Sequence, residues 1–348
     1  MANRGLKRRT FSSALALLAG AAAVPALRAQ PRLEKTRIAI SVGAKGDFCN
    51  LPLTIAEQLG YFKTEGLEVE IAEFPIASRM APAAAGAAAD LFSGSYEHTI
   101  RLQSKGQKFQ SIVLQGRAPA IALGIAVKAL PRYRSTADLR GKKIGISATG
   151  SVGHMVANLI LSRAGLKADD VSFIGFGTVA GTLTALRSGQ IDAVCNADPV
   201  MTMLEQRGEL RIVADTRTLK GTLEVFGGAM PGACLYGAVD FVKKNPNTVQ
   251  ALTNAMVHSL KWLQTAGPGD IIRTVPETYL MGDRALYLAA FNKVRESISP
   301  DGMIPDDGPR TALKALAGFD PSIRADKIEL SRTYSNEFAK KAKIRFLA

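Results

Sequence analysis

The chain has 348 residues, with 44 Lys and Arg against 30 Asp and Glu and a formal net charge of +14. A hydrophobic content of 47% excludes a disordered chain. The basic residues are dispersed and aromatics make up 6%, so no nucleic-acid surface is expected despite the charge. His98, His154 and His258 stand far apart, and Cys49, Cys195 and Cys234 have neither metal-site nor redox spacing. No metal, cofactor or catalytic centre is expected, and buried free thiols are the default for the cysteines.

Arg4, Lys7, Arg8 and Arg9 precede an uncharged apolar stretch from Phe11 to Leu27, which ends at Arg28-Ala29-Gln30. This is the layout of a cleaved secretory signal over residues 1–29. Arg8-Arg9-Thr10-Phe11 also resembles the twin-arginine export signal. No cysteine lies near the cleavage region, so no lipid anchor is expected, and the stretch is short and carries Pro25. The mature chain is expected to be soluble and periplasmic, and long enough for two domains.

Arg37–Val42 alternates as a strand should, and a loop from Gly43 to Leu51 leads to a helix that opens at Pro52 and stops at Gly60. Leu67–Ala72 reads as a strand, Ser78–Ala87 as an Ala-rich helix, Asp90–Phe92 as a short strand and Tyr96–Ser104 as a helix. Two apolar strands follow, Ser111–Leu114 and Ile121–Val127.

The next block has a clearer rhythm. Lys142–Ser147 is a strand, and Thr149-Gly150-Ser151 opens a helix with Val152, Val156, Leu159 and Ile160 on one face. Strands at Val171–Phe176, Ile191–Cys195 and Leu210–Ala214 alternate with helices at Ala180–Arg187 and Pro199–Arg207. This alternation predicts a largely parallel sheet with helices on both faces. From Asp240 the chain turns helical, with Val249, Leu252, Met256, Leu260 and Leu263 on one face, and is expected to pack back on the first block.

Several runs together resemble a known family. They are Leu53–Phe62, Glu65–Val69, Asp138–Ile146 with Gly150-Ser151, Ala164–Leu166 with Asp169–Val171, and Ala185–Ala193. In this order they resemble the NMT1/THI5-like group of periplasmic solute-binding proteins, whose members serve nitrate, sulfonate, taurine and thiamine-precursor uptake. The resemblance implies an α/β, type II periplasmic-binding fold. Its two lobes would carry mixed, mainly parallel sheets flanked by helices and joined at a hinge. It implies a discontinuous first lobe, 36–125 plus 233–348, and a second lobe, 126–232. It also implies a monomer that closes on a small-molecule ligand and delivers it to an ABC permease with its ATPase.

Ligands of α/β lobes sit at the carboxyl ends of strands and at helix starts, where unpaired N–H groups suit anions. Thr149, Gly150 and Ser151 are therefore ligand candidates, although Ser151 or Thr149 can equally cap the helix. Ser93, Ser95 and Tyr96 occupy the corresponding place in the first block. Phe48 and Asn50 come from the first loop, where Asp47 reads as a turn residue. Asn196 and Asp198 follow a second-block strand, Asp198 either capping a helix or meeting a ligand donor. Arg79 and Arg117 are conceivable anion clamps, and His154 points either to the cleft or into packing. The expected ligand is a small organic anion. A pyrimidine-precursor synthase on this fold would need a Cys-rich motif that nothing here resembles, and a ligand-sensing subunit is the other alternative.

Overall fold

The alternating apolar residues of Arg37–Val42 (β1) bury Ile38, Ile40 and Val42 and make this strand the centre of one half of a sheet. It pairs in parallel with Glu68–Glu73 (β2) and Leu91–Ser95 (β3). Phe109–Leu114 (β4) forms the far edge, separated from β3 by Ala233–Ala238 (β10), which gives the order β2-β1-β3-β10-β4. The second sheet contains Ile121–Ala126 (β5), Lys143–Ile146 (β6), Ser172–Gly175 (β7), Ala193–Ala197 (β8) and Leu210–Asp215 (β9), ordered β7-β6-β8-β5-β9. Ala233–Ala238 (β10) returns to the first sheet and lies antiparallel between β3 and β4.

The structure, a computed structural model, describes residues 32–73, 89–177 and 179–348, and the described part of Leu33–Ala348 forms one compact unit. The proposed signal segment, the Ser78–Ala87 helix and Arg79 lie outside the described residues.

Two features depart from the sequence expectation. The sequence does not signal β10, because Ala233–Ala238 has no alternation and five of its residues are buried. A strand covered on both faces carries no period-2 signal. β5 was expected to close the first lobe, yet it lies antiparallel between β8 and β9 in the second sheet. Sheet membership is set by long-range pairing, which a local apolar run does not encode. The chain therefore crosses after Leu114 rather than at residue 125.

The helical tail divides its packing. Pro246–Thr265 buries Val249, Leu252, Met256, Leu260 and Leu263 against the first sheet's core with Leu51, Leu53 and Ile55. Burial of each such side chain contributes about 1.5–3 kcal/mol. Gly308–Phe319 instead packs on the helices Glu97–Ser104 and Val152–Arg163, one flanking each sheet. Arg284–Val294 packs on Val200–Gln206, where Lys293 Nζ meets Glu205 Oε2 at 2.9 Å. Thus the tail joins the two sheets as well as covering the first. Among the described residues no helix is long and apolar enough to cross a membrane.

Candidate functional site

The two crossovers define where the sheets meet. In the first sheet β1, β3 and β4 end, and β10 begins, along one edge, with Ser95 opposite Ala233 and Leu114 opposite Cys234. In the second sheet β6 and β8 end together, Ile146 beside Cys195, and β5 begins there opposite Ala197 and Asp215. Residues 115–120 and 227–232 run between these edges, so the carboxyl ends of both sheets flank the crossovers. The crossovers touch, with the Gly232 N–H donating to Gly116 O at 2.8 Å. A Cβ on Gly232 would stand 2.1 Å from Ala118 O, so only glycine fits there.

A cavity of about 30 Å³ opens at this junction. Its wall includes Phe48, Gln115, Ala118, Pro119, Ser297 and Ile298. Phe48 is buried and stacks obliquely on Tyr287, ring centroids 4.8 Å apart. Cys49, an exposed free cysteine, also lines the cavity, and protein packs around its thiol. That surrounding mass, with the nearby Asp47 charge, pushes the thiol pKa up and keeps it protonated. The Asp47 carboxyl is pushed up to about 6 by its crowded surroundings and by Glu73.

The first-sheet candidates divide into two kinds. Asn50 and Ser93 are buried and bonded to each other, Ser93 Oγ to Asn50 Oδ1 at 2.6 Å, and Gln115 Nε2 donates to Ser93 Oγ at 2.8 Å. They brace the site from behind. Ser95 is half-buried, and its hydroxyl has no partner among the described residues. Tyr96 is a correction: it is fully buried and its hydroxyl pairs with Thr333 Oγ1 at 2.6 Å. Following β3, its ring turns into the core rather than toward the crossover.

In the second sheet, the helix Val152–Arg163 starts hard against the end of β8. A Cβ on Gly153 would lie 2.8 Å from Cys195 O, so glycine permits this approach. Thr149, Gly150 and Ser151 thus stand beside Asn196. Ser151 Oγ caps the helix by accepting from His154 N–H at 3.2 Å. Gly150 N–H donates to His154 Nδ1 at 3.1 Å, while the ring sits edge-on to Phe173 and Phe319, with centroids 4.4 and 5.0 Å away. Thr149 is exposed. Asn196 is half-buried, with Oδ1 accepting from Ala197 N–H.

Asp198 belongs to a charge network that sequence reasoning missed. Its Oδ1 accepts from Thr202 N–H at 2.7 Å, and its Oδ2 from Arg217 Nη1 at 3.0 Å. Arg217 is 1% exposed and also grips Asp215, at 2.8 Å through Nε and 2.7 Å through Nη2. Burial opposes its charge, but the Asp215 hydrogen bonds and the Asp198 charge outweigh it and raise the guanidinium pKa. Glu205 completes the group at 3.6 Å and carries it to Lys293. The only local signal was an Asp-Thr-Arg triplet at a strand end. Arg117 donates through Nε to Glu296 O and does not line the cavity. Among the described residues no group of His, Cys, Asp and Glu could hold a metal.

The family model described as NMT1/THI5 like matches residues 49–266. The chain belongs to the NMT1/THI5-like family. A solved protein of Bordetella bronchiseptica RB50 is 53% identical over 91% of this chain and 100% of its own, with a TM-score of 0.85. The alkanesulfonate-binding protein SsuA of Xanthomonas axonopodis pv. citri is 17% identical over 87% of this chain and 99% of its own, at TM-score 0.66. The periplasmic nitrate-binding protein NrtA of Synechocystis PCC 6803 is 13% identical over 90% of this chain and 89% of its own, at 0.68. With the two five-stranded mixed sheets, these likenesses establish the periplasmic-binding-protein fold, type II, for this NMT1/THI5-like chain.

Proposed function

We propose that this chain is the exported solute-binding component of an ABC importer, capturing a small organic anion between its two lobes. The observation that carries the reading is the meeting of both sheets' carboxyl edges at the crossovers, beside a largely apolar cavity. Phe48, Ser95, Thr149, Gly150, Ser151 and Asn196 are the residues we assign to the ligand's surroundings. Asn50, Ser93 and Asp198 hold that surface in shape. The apolar share of the cavity wall favours an organic ligand over nitrate.

The first lobe comprises the segments of β1–β4 and the chain from β10 onward, and the second the segments of β5–β9. Segments 115–120 and 227–232 form the hinge. The closed monomer docks on a permease, in the periplasm, after cleavage of the leader. Capture rather than catalysis is supported by Cys49: its thiol pKa is raised, the reverse of what a nucleophile needs.

A thermal-shift screen of the mature chain against alkanesulfonates, aromatic sulfonates, carboxylates, pyrimidines and nitrate tests this, because a ligand of the folded state raises its apparent stability by mass action. We expect a rise with at least one organic anion. No shift with any, together with turnover of one, would refute the reading.

A further inference from the structure

We propose that Gln115 is a specificity-determining acceptor at the crossover, and that the captured ligand carries a hydrogen-bond donor, N–H or O–H, that meets it. The inference rests on the capture reading above and adds to it what the ligand must present.

The orientation of the Gln115 amide follows from a chain anchored on the main chain. Asn50 Nδ2 donates to Ala44 O at 2.7 Å. A main-chain carbonyl can only accept, so the Asn50 amide cannot be reversed, and its Oδ1 must face Ser93. Ser93 has one proton and gives it to that oxygen at 2.6 Å. Towards Gln115, 2.8 Å away, Ser93 can then only accept, which fixes Nε2 on that side. Oε1 is left facing away, buried, with no partner among the described residues. Gln115 itself is 1% exposed and lines the cavity.

The other polar side chain of the cavity wall has the same sense. Ser297 Oγ spends its proton on Val294 O at 2.6 Å and offers only lone pairs. Among the described residues no Lys or Arg lines the wall, and the Cys49 thiol, a weak donor, is its one uncommitted side-chain donor. Side-chain groups that only accept welcome an amine, amide or hydroxyl at this end of the cavity. At about 30 Å³ it admits one such group, not a whole ligand. The ligand's anionic end must therefore lie outside it, toward the second sheet. The class is an organic anion that also bears an amino, amide or hydroxyl group.

Calorimetric titration of the mature chain with matched pairs tests this: β-alanine with propionate, 4-aminobenzoate with benzoate, and sulfanilate with benzenesulfonate. We expect the donor-bearing member of at least one pair to bind about tenfold or more tightly than its partner. Gln115→Met should abolish that preference, and Gln115→Glu, which keeps an acceptor, should retain it; circular dichroism checks that both fold. Equal or tighter binding of donor-free members, or a preference that survives Gln115→Met, overturns the inference while leaving capture of an organic anion intact. Binding of no member of any pair counts against both.

Discussion

Replacing Arg217 with Met should unfold the second sheet's strand ends far more readily than any surface change. The guanidinium is 1% exposed and bonds to Asp198 at 3.0 Å, Asp215 at 2.7 and 2.8 Å, and Thr202 at 3.3 Å. Asp215 is partly solvated and can recover water, but the Asp198 side chain is fully buried. Met fills most of the volume and leaves Asp198 with only its Thr202 N–H bond. Removing one partner of a buried pair costs about 3–5 kcal/mol, because the remaining charge is uncompensated. Lys293→Ala removes the exposed end of the same network, the 2.9 Å contact to Glu205, and should cost at most about 1 kcal/mol. Urea denaturation followed by circular dichroism gives both values. The double variant Asp198→Asn/Arg217→Met should be less destabilised than the sum of its single changes, since the stranded charge is gone. A loss below about 1 kcal/mol for Arg217→Met, or strict additivity in the double variant, would refute the assignment of Asp198 as a charge held by Arg217.

Other changes read different parts of the structure. Gly232→Val places carbon 2.1 Å from Ala118 O, a backbone atom that cannot swing aside, and should destabilise by about 3 kcal/mol or prevent folding; a urea midpoint equal to wild type would refute the crossover contact. Ser151→Ala removes the cap on His154 N–H and should cost about 1 kcal/mol in the same assay. Asp47 has its carboxyl raised from the usual 3.8 to about 6 in the fold by crowding and Glu73. Its ionised form is therefore disfavoured in the folded state, so wild type should lose stability relative to Asp47→Asn as pH rises from about 4 through 6. Melting curves at pH 4, 5, 6 and 7 that stay parallel for the two proteins would contradict this.

The sequence by itself determined the fold class and much of the element order. The alternation in Arg37–Val42 and the helical stripe Val249, Leu252, Met256, Leu260 and Leu263 each encode one buried face, because that face repeats at the period of its own backbone. Gly150-Ser151 was legible as part of the family resemblance, carried by residue identity rather than by periodicity. Tertiary structure alone decided that β5 joins the second sheet, that Ala233–Ala238 returns to the first, and that Gly232 must be bare where the crossovers touch. It also turned Tyr96 inward to Thr333, drew Asp198 to Arg217 and aligned Asn50, Ser93 and Gln115 into one relay. Each of these depends on partners 19 to 237 residues away in the chain for its side-chain bonds. Local periodicity reports which face of an element is apolar; it carries no record of which distant strand, proton or charge that face will meet.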